Sequence, residues 1–300
     1  MESRKKYRGV VVPMVTPVTE AGKADLDAVE RIVEFFASAG VSPLLMGTTG
    51  EGNSVPREEA ARLVARTART AVGRITVYAG LNGCCTQEHI ESARLYRKLG
   101  ADVIVATLPA YYALTPEQMY GYYERLANGI DAPLMLYNIK ATTHMSIPVE
   151  VVRALSGHPN IVGLKDSERD LDRMKACLAI SKGNDGFAYF CGWAAQSAFS
   201  LAHGADGIVP STGNIVPEMF GRLYEAAVSG DVAEAERLQR ETDAIAKIYQ
   251  EGRTLGQSLA ALKAMMHVKG LCEPWMLSPL TRLEAEEERE VERRTREMLP

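Results

Sequence analysis

The chain has 300 residues, of which 46% are hydrophobic and 24% charged, and this composition excludes an intrinsically disordered protein. Lys and Arg number 34 against 38 Asp and Glu. The resulting net charge of −4 argues against a broad nucleic-acid-binding face, although a local anion pocket is compatible with it.

Eight short apolar runs recur along the chain, with amphipathic segments between them. Near-continuous apolar runs are typical of parallel strands buried on both faces, and their alternation with helical segments predicts βαβ units. In chain order the predicted strands are Gly9–Pro13, Pro43–Gly47, Ile75–Gly80, Asp102–Thr107, Pro133–Tyr137, Asn160–Leu164, Gly186–Phe190 and Gly207–Pro210.

The segments between these runs carry helix signals. Apolar residues recur at helical spacing from Leu26 to Ala39, and Gly40 suits the end of that helix. Thr115 and Gln118 form the pattern of a capping box, which predicts a helix start there. Residues 54–59 form a weaker start of the same kind.

This order of elements predicts an α/β fold, a (β/α)8 TIM barrel over residues 1–215. A helical extension over residues 216–300 is expected to pack on the barrel. The alternative is a doubly wound open sheet, which often carries a GxGxxG motif that this chain lacks. Residues 282–299 are rich in Glu and Arg, which predicts a solvated helix with ion pairs rather than a partner-binding tail.

The cysteines and the N-terminal segment indicate where the protein works. The five cysteines are odd in number and form no CxxC pair, which is typical of a reducing compartment. Residues 1–8 are too polar for the core of a signal peptide, and the run from Gly9 to Val15 is too short to cross a bilayer. We therefore predict a cytoplasmic protein without membrane or nucleic-acid partners.

Active sites of such barrels lie at the carboxyl ends of the strands, and Lys165 follows the sixth apolar run. Strict alternation would place Ile161, Gly163 and Lys165 on one face, with Gly163 leaving space beside the amine. A lysine amine in apolar surroundings can attack a carbonyl and form a Schiff base. The alternative is a lysine that reaches solvent or pairs with Asp166.

Tyr137 ends the fifth apolar run, which neighbours the run that ends at Lys165, and the turn containing Thr48 and Thr49 ends the second run. A phenol near Lys165 can move protons, and a glycine-bounded turn can bind a carboxylate or phosphate. The alternatives are a tyrosine bonded to backbone at the barrel rim and an ordinary turn. The five histidines have no metal-ligand spacing and no GxSxG motif occurs, so we predict no metal and no cofactor.

Together the motifs resemble the dihydrodipicolinate synthase / N-acetylneuraminate lyase family of class I Schiff-base-forming lyases. The match extends from about Gly9 to about Pro279. The resemblance implies a (β/α)8 barrel with C-terminal helices, assembled as a homotetramer that is a dimer of dimers. The motifs that carry it are Gly47-Thr-Thr-Gly-Glu51, Pro109-Ala-Tyr-Tyr112, Tyr137-Asn138 and Gly163-Leu-Lys-Asp166.

The resemblance also implies roles for individual residues. Lys165 resembles the lysine that condenses with the ketone of pyruvate or another 2-oxo acid, and Tyr137 resembles the phenol that relays protons. Thr48 resembles the hydroxyl that links this phenol to a second tyrosine. Tyr111 resembles that second tyrosine, which in many members comes from a neighbouring subunit.

Three further positions resemble the family's binding pocket. Thr49, together with the backbone amides of Thr48 and Thr49, resembles the cradle for the substrate carboxylate. Gly192 and Val209 resemble the wall that holds the imine.

The chain departs from the family's synthases on the acceptor side. Lys140 stands where the family usually has Pro, and Thr142 stands where synthases carry an Arg that binds the second substrate's carboxylate. A guanidinium that binds a carboxylate through two bonds is not replaced by a hydroxyl. Lys140, Thr142 and His144 are therefore the candidates for contacts with a different polar substrate. The alternative is that Lys140 and His144 simply face solvent.

We accordingly predict an aldolase or dehydratase that acts on pyruvate or another 2-oxo acid, with a 2-oxo-3-deoxy sugar acid as the favoured substrate type. Its partners would be small 2-oxo acids and aldehydes. The nearest alternative is dihydrodipicolinate synthase itself, acting on aspartate semialdehyde. Two others are a non-catalytic barrel that binds a 2-oxo acid and an unrelated barrel enzyme that binds phosphate at Thr48 and Thr49.

Overall fold

The computed structural model describes residues 5–298, so the outermost parts of the two predicted regions, 1–4 and 299–300, lie outside the described chain. Eight parallel strands close into a barrel in chain order, and the eighth pairs with the first. The strands are β1 Gly9–Pro13, β2 Ser42–Leu45, β3 Tyr78–Leu81, β4 Val103–Thr107, β5 Leu134–Asn138, β6 Ile161–Asp166, β7 Ala188–Cys191 and β8 Gly207–Ile208.

Helices surround the barrel and continue after its last strand, which confirms the predicted (β/α)8 barrel with C-terminal helices. They are α1 Leu26–Ser38, α2 Arg57–Ala71, α3 Thr86–Lys98, α4 Pro116–Gly129, α5 Lys140–Thr143, α6 Val149–Leu155, α7 Leu171–Lys182, α8 Ser197–Ala202, α9 Pro217–Ser229, α10 Val232–Gln250, α11 Leu255–Val268 and α12 Ala285–Met298. Within residues 5–298, every helix is too short or too polar to cross a membrane.

The helix starts follow the local sequence in two cases and depart from it in one. Asp25 caps α1, and Thr115 with Gln118 forms the predicted capping box at the start of α4. Helix α2 begins later than the 54–59 pattern implies. Pro56 occupies its N-cap position, where no side chain bonds to the first turn.

Two strands are shorter than predicted, one where a side chain accepts the backbone hydrogen bond and one where a proline follows. The amide of Val77 donates to Asp102 Oδ2 (2.8 Å), so β3 begins only at Tyr78, although the apolar run begins at Ile75. Strand β8 is only two residues long, and Pro210 after it has no N–H to donate.

Apolar side chains form two layers, one inside the barrel and one between the sheet and the helices. A register shift between β5 and β6 moves Ile161 into the outer layer and turns Val162 toward the inner one. The expectation that Ile161 shares a face with Lys165 is therefore wrong, because this bulge interrupts the alternation. The inner layer comprises Val11, Leu44, Tyr78, Val103, Val105, Met135, Tyr137, Ile139, Ala188, Phe190 and Val209.

The C-terminal helices pack on one another and reach the barrel. Helix α9 contacts both β1 and α10, and α11 contacts α10 and α12. The proposed boundary between residues 215 and 216 stays a prediction. Helix α12 carries the expected ion pairs on its exposed face, such as Arg293 with Glu290, while Val291 and Thr295 are buried beneath it. Leu299, at the end of the predicted helix, lies outside the described residues.

Candidate active site

Lys165 and Tyr137 lie side by side at the carboxyl ends of β6 and β5, where the two residues are directly paired. Lys165 is 3% exposed, and its Nζ lies 3.7 Å from the centroid of the Tyr137 ring. No ion pair joins Lys165 to an Asp or Glu within residues 5–298. A buried amine without a carboxylate partner has the surroundings that Schiff-base chemistry needs.

The phenol of Tyr137 is tuned by its neighbours. Its oxygen lies 3.4 Å from Thr48 Oγ1. Burial pushes the pKa of Tyr137 upward, but the positive charge of Lys165 and hydrogen bonds from Thr48, Ser167 and Lys165 outweigh burial and hold that pKa below its ordinary value. A phenol in this setting can give up and recover a proton.

The turn that carries Thr48 and Thr49 is closed by its own backbone. The amides of Gly50 and Gly52 both donate to Gly47 O, at 3.0 and 3.1 Å. A Cβ at Gly52 would lie 2.1 Å from Met46 O, so only glycine fits there. Thr48 and Thr49 are half-buried on this turn, within the glycine-bounded loop expected of an anion cradle.

Gly192 follows β7 and Val209 follows β8, the two strands that come after the strand of Lys165. The Gly192 amide donates to Asp166 O (2.7 Å), and a Cβ at Gly192 would lie 2.2 Å from Ser167 Oγ. The absence of a side chain therefore leaves room for the hydroxyl that bonds to Tyr137. Val209 belongs to the inner layer. Sequence reasoning missed Ser167, although it directly follows the motif ending at Asp166.

Gly163 plays a different part from the one expected of it. A Cβ on Gly163 would lie 2.5 Å from Ala188 O, so backbone of β7 fills the space that we predicted beside the amine. Gly163 thus allows close pairing of β6 and β7.

A buried polar network fixes the outer side of the same two strands. Asp166 accepts hydrogen bonds from Arg173 Nε and Asn138 Nδ2, each at 2.8 Å, and Asn138 also donates to Glu168 (3.0 Å). The suggested pairing of Lys165 with Asp166 is therefore wrong, because Arg173 takes that carboxylate. Burial raises the pKa of Asp166 despite the opposing effect of Arg173.

Asn138 and Asp166 immediately follow Tyr137 and Lys165, so the network joins the neighbours of both site residues. Arg173 closes it from α7, with Nη1 donating to Ile147 O (2.6 Å). Arg173 and Glu168 carried no recognisable motif in the sequence.

A cavity of about 370 Å³ opens at this end of the barrel. Thr48, Tyr137 and Thr142 line it, together with apolar residues of β2–β4 and of the C-terminal region. Lys165 lies against the Tyr137 ring rather than on the cavity wall in this conformation. Among the described residues that line the cavity, none is Arg or Lys.

Three predicted site residues, Tyr111, Lys140 and His144, are exposed and lie outside this cluster. Tyr111 is 79% exposed and stacks edge-on against Tyr112, so within one described chain it does not reach Tyr137. Lys140 is largely exposed, and its Nζ lies 3.4 Å from Glu168 Oε1. Glu168, in turn, also accepts from Ser146.

Comparison with known proteins places this site in a family. The model of the dihydrodipicolinate synthetase family matches residues 6–298. A curated relative, the 4-hydroxy-tetrahydrodipicolinate synthase of Laribacter hongkongensis, is 36% identical over 77% of this chain and 79% of its own length.

Solved structures agree. The dihydrodipicolinate synthase of Bacteroides thetaiotaomicron superposes with a TM-score of 0.93 at 27% identity, covering 99% of this chain and all of its own. A synthase from Acinetobacter baumannii, crystallised with pyruvate, gives a TM-score of 0.87 at 28% identity over 97% of this chain and 98% of its own.

Proposed function

Because the chain belongs to the dihydrodipicolinate synthetase family of class I lyases, we propose that Lys165 forms a Schiff base with pyruvate or a related 2-oxo acid. The observation that carries this proposal is the buried Lys165 amine, which has no carboxylate partner among residues 5–298 and rests on the Tyr137 ring. The pyruvate complex of the Acinetobacter baumannii relative supports the same choice of substrate.

The steps follow from these positions. Rotation of its flexible stem brings the Lys165 amine off the Tyr137 ring to attack the ketone carbon, and water leaves as the imine forms. Tyr137 accepts a proton from the attacking amine and returns one to the departing oxygen. Loss of a proton beside the imine then gives an enamine, which adds to an aldehyde; the reverse sequence cleaves the same bond.

Thr48 and Thr49 complete the site in this proposal. The Thr49 hydroxyl and the backbone amides of Thr48 and Thr49 would receive the carboxylate of the 2-oxo acid, while the Thr48 hydroxyl keeps its contact with the Tyr137 hydroxyl. Gly192 and Val209 would border the imine.

The second substrate is the point on which the comparisons and the cavity disagree. The curated relatives are named 4-hydroxy-tetrahydrodipicolinate synthase, which favours that alternative over our preference for a 2-oxo-3-deoxy sugar acid. One observation favours the 2-oxo-3-deoxy sugar acid. Thr142 lines the cavity, and no described lining residue supplies the Arg or Lys expected for an acceptor that carries a carboxylate.

Borohydride reduction in the presence of pyruvate tests the Schiff base. We expect the reduced adduct on the peptide that contains Lys165, and no adduct in Lys165→Arg. A label on another lysine, or no label at all, contradicts the proposal.

An assay of two reactions decides between the synthase and the sugar-acid lyase. The synthase interpretation requires condensation of pyruvate with aspartate semialdehyde, whereas the other interpretation requires cleavage of a 2-oxo-3-deoxy sugar acid. Whichever of the two reactions the native protein catalyses, Lys165→Arg should not catalyse it.

The proposal also includes a tetramer. Tyr111 and Tyr112 are exposed beside Ala110, which lines the cavity, so a second subunit packed on this face by the same residues would bring its own Tyr111 close to the cavity. The mass in solution tests this arrangement. The expected cytoplasmic location remains a prediction.

A further inference from the structure

A second buried lysine lies on α11, a helix that supplies other residues to the cavity wall. Lys263 Nζ of α11 lies 2.5 Å from Glu51 Oε1, and both side chains are buried. The ammonium also donates to Trp275 O (2.6 Å). Glu51 belongs to the same tight turn as Thr48 and Thr49, and its own backbone is left-handed (φ 53°).

The carboxylate of Glu51 holds the C-terminal region against the barrel. Its Oε2 accepts the amide of Leu277 at 2.7 Å, and the nearby residues Pro279 and Leu280 line the cavity. Leu255 and Leu259 of α11 line it as well. The turn, α11 and the segment after it are therefore joined around one buried ion pair.

This arrangement raises an electrostatic problem for the proposed substrate. Glu51 belongs to the cavity lining and lies two residues after Thr49 on the same turn, and its carboxylate is itself fully buried, so water screens its charge poorly from the turn that would receive the carboxylate of a 2-oxo acid. Like charges in a poorly solvated site repel strongly. Removal of a positive partner would leave that repulsion uncompensated.

We infer that Lys263 is a positioning residue that neutralises Glu51, so that Glu51 can anchor the C-terminal wall without excluding an anionic substrate from the adjacent cradle. Lys263 acts through Glu51 and touches no substrate. This inference rests on the proposed function, because it assumes that the turn receives the carboxylate of a 2-oxo acid.

A comparison of a charged and an uncharged ketone tests this inference. The concentration that gives half-maximal borohydride trapping at Lys165 is measured for pyruvate and for its methyl ester. In Lys263→Met, we expect this concentration to rise about tenfold for pyruvate and less than about twofold for the ester. The double variant Glu51→Gln/Lys263→Met should return the pyruvate value to within about threefold of native.

A purely structural role gives a different pattern. Equal losses for pyruvate and the ester in Lys263→Met overturn the inference, and so does a double variant no better than the single one. If Lys263→Met does not fold, Glu51→Gln decides the matter. Loss of the negative charge should then lower the half-maximal pyruvate concentration and leave the ester unchanged, and any other result overturns the inference.

Glu59 supplies a matched control. Its buried carboxylate also accepts a backbone amide from a distant segment, that of Ala24 at 2.8 Å, and pairs with Arg62, but it does not line the cavity. Glu59→Gln should leave the pyruvate-to-ester ratio at its native value. A native protein that traps no pyruvate contradicts the proposed function itself, whereas trapping with an unchanged ratio in Lys263→Met contradicts only the role of Lys263.

Discussion

Lys165 and Lys263 are the two buried lysines of residues 5–298, and their surroundings are opposite. Lys263 faces the carboxylate of Glu51 and a backbone carbonyl, which satisfy its charge. Lys165 faces the ring of Tyr137 and has no acidic partner within the described chain. The amine of Lys263 is held by its carboxylate and carbonyl partners, whereas the amine of Lys165 has no such partner and is placed to attack a carbonyl.

The same difference extends to the neighbouring groups. Lys165 influences a phenol that lines the cavity, and it holds the pKa of that phenol below the ordinary value against the effect of burial. Lys263 neutralises a carboxylate that anchors the cavity wall. Lys165 thus favours ionisation of the Tyr137 phenol, whereas Lys263 neutralises the Glu51 carboxylate beside the cavity.

Tyr137→Phe gives the largest expected effect among the tests of this comparison. Loss of the hydroxyl beside Lys165 should lower turnover about 10²–10⁴-fold, the range expected for loss of a general acid–base, while pyruvate binding changes much less. Steady-state kinetics with either acceptor measures this. A loss below about threefold removes Tyr137 from the proton relay and weakens the contrast between the two lysines.

Tyr123→Phe is the control for this variant. Tyr123 is buried and its hydroxyl donates to Ala106 O (3.1 Å), but it packs in the outer layer. Its loss should lower stability without the same loss of turnover.

The second test measures the charge of Lys165 through Tyr137. In Lys165→Met the largest cause that lowers the pKa of Tyr137 is gone and burial remains, so that pKa should move upward from its value in the native protein. An ultraviolet titration of phenolate, taken as the difference from Tyr137→Phe in the same background, reports the midpoint.

The double variant Glu51→Gln/Lys263→Met is the control in the same titration, because it removes the other buried ammonium together with the carboxylate that this ammonium pairs with, and neither group acts on the pKa of Tyr137. It should leave the Tyr137 midpoint where the native protein has it. A shift in both variants means that the two lysines are not electrostatically separate, and a shift in neither means that Lys165 carries no charge at this position.

The sequence placed Lys165 and Tyr137 at the edge of the barrel, because both end apolar runs, but their chemical roles came from the family resemblance and stay predictions. Eight strands and the capping box at Thr115 followed from equally local signals. The prediction that Ile161 and Lys165 share a face was wrong. The bulge in β6 arises from its pairing with β5, and the sequence of the apolar run carries no signal for it.

The partners of the two buried carboxylates were beyond local reasoning. Asp166 forms an ion pair with Arg173 on the following helix, and Glu51 forms one with Lys263, far along the chain. Neither partner lies in a motif, and each contact exists only because the barrel brings distant segments together. Residues 140–144 differ from the family pattern already in the sequence, but the exposure of Lys140 and its pairing with Glu168 could be seen only in the fold.

Thr142→Val gives the smallest expected effect and separates the acceptor from the chemistry of Lys165. Thr142 lines the cavity, and its hydroxyl lies 3.5 Å from Ile139 O, near the limit of a hydrogen bond and free to meet a substrate oxygen. Valine keeps the shape and removes one hydrogen bond worth about 1 kcal/mol, so kcat/KM for the aldehyde acceptor should fall about fivefold. Trapping of pyruvate alone should be unchanged. A variant that weakens pyruvate trapping instead places Thr142 on the 2-oxo-acid side of the cavity and removes the main structural argument against a carboxylated acceptor.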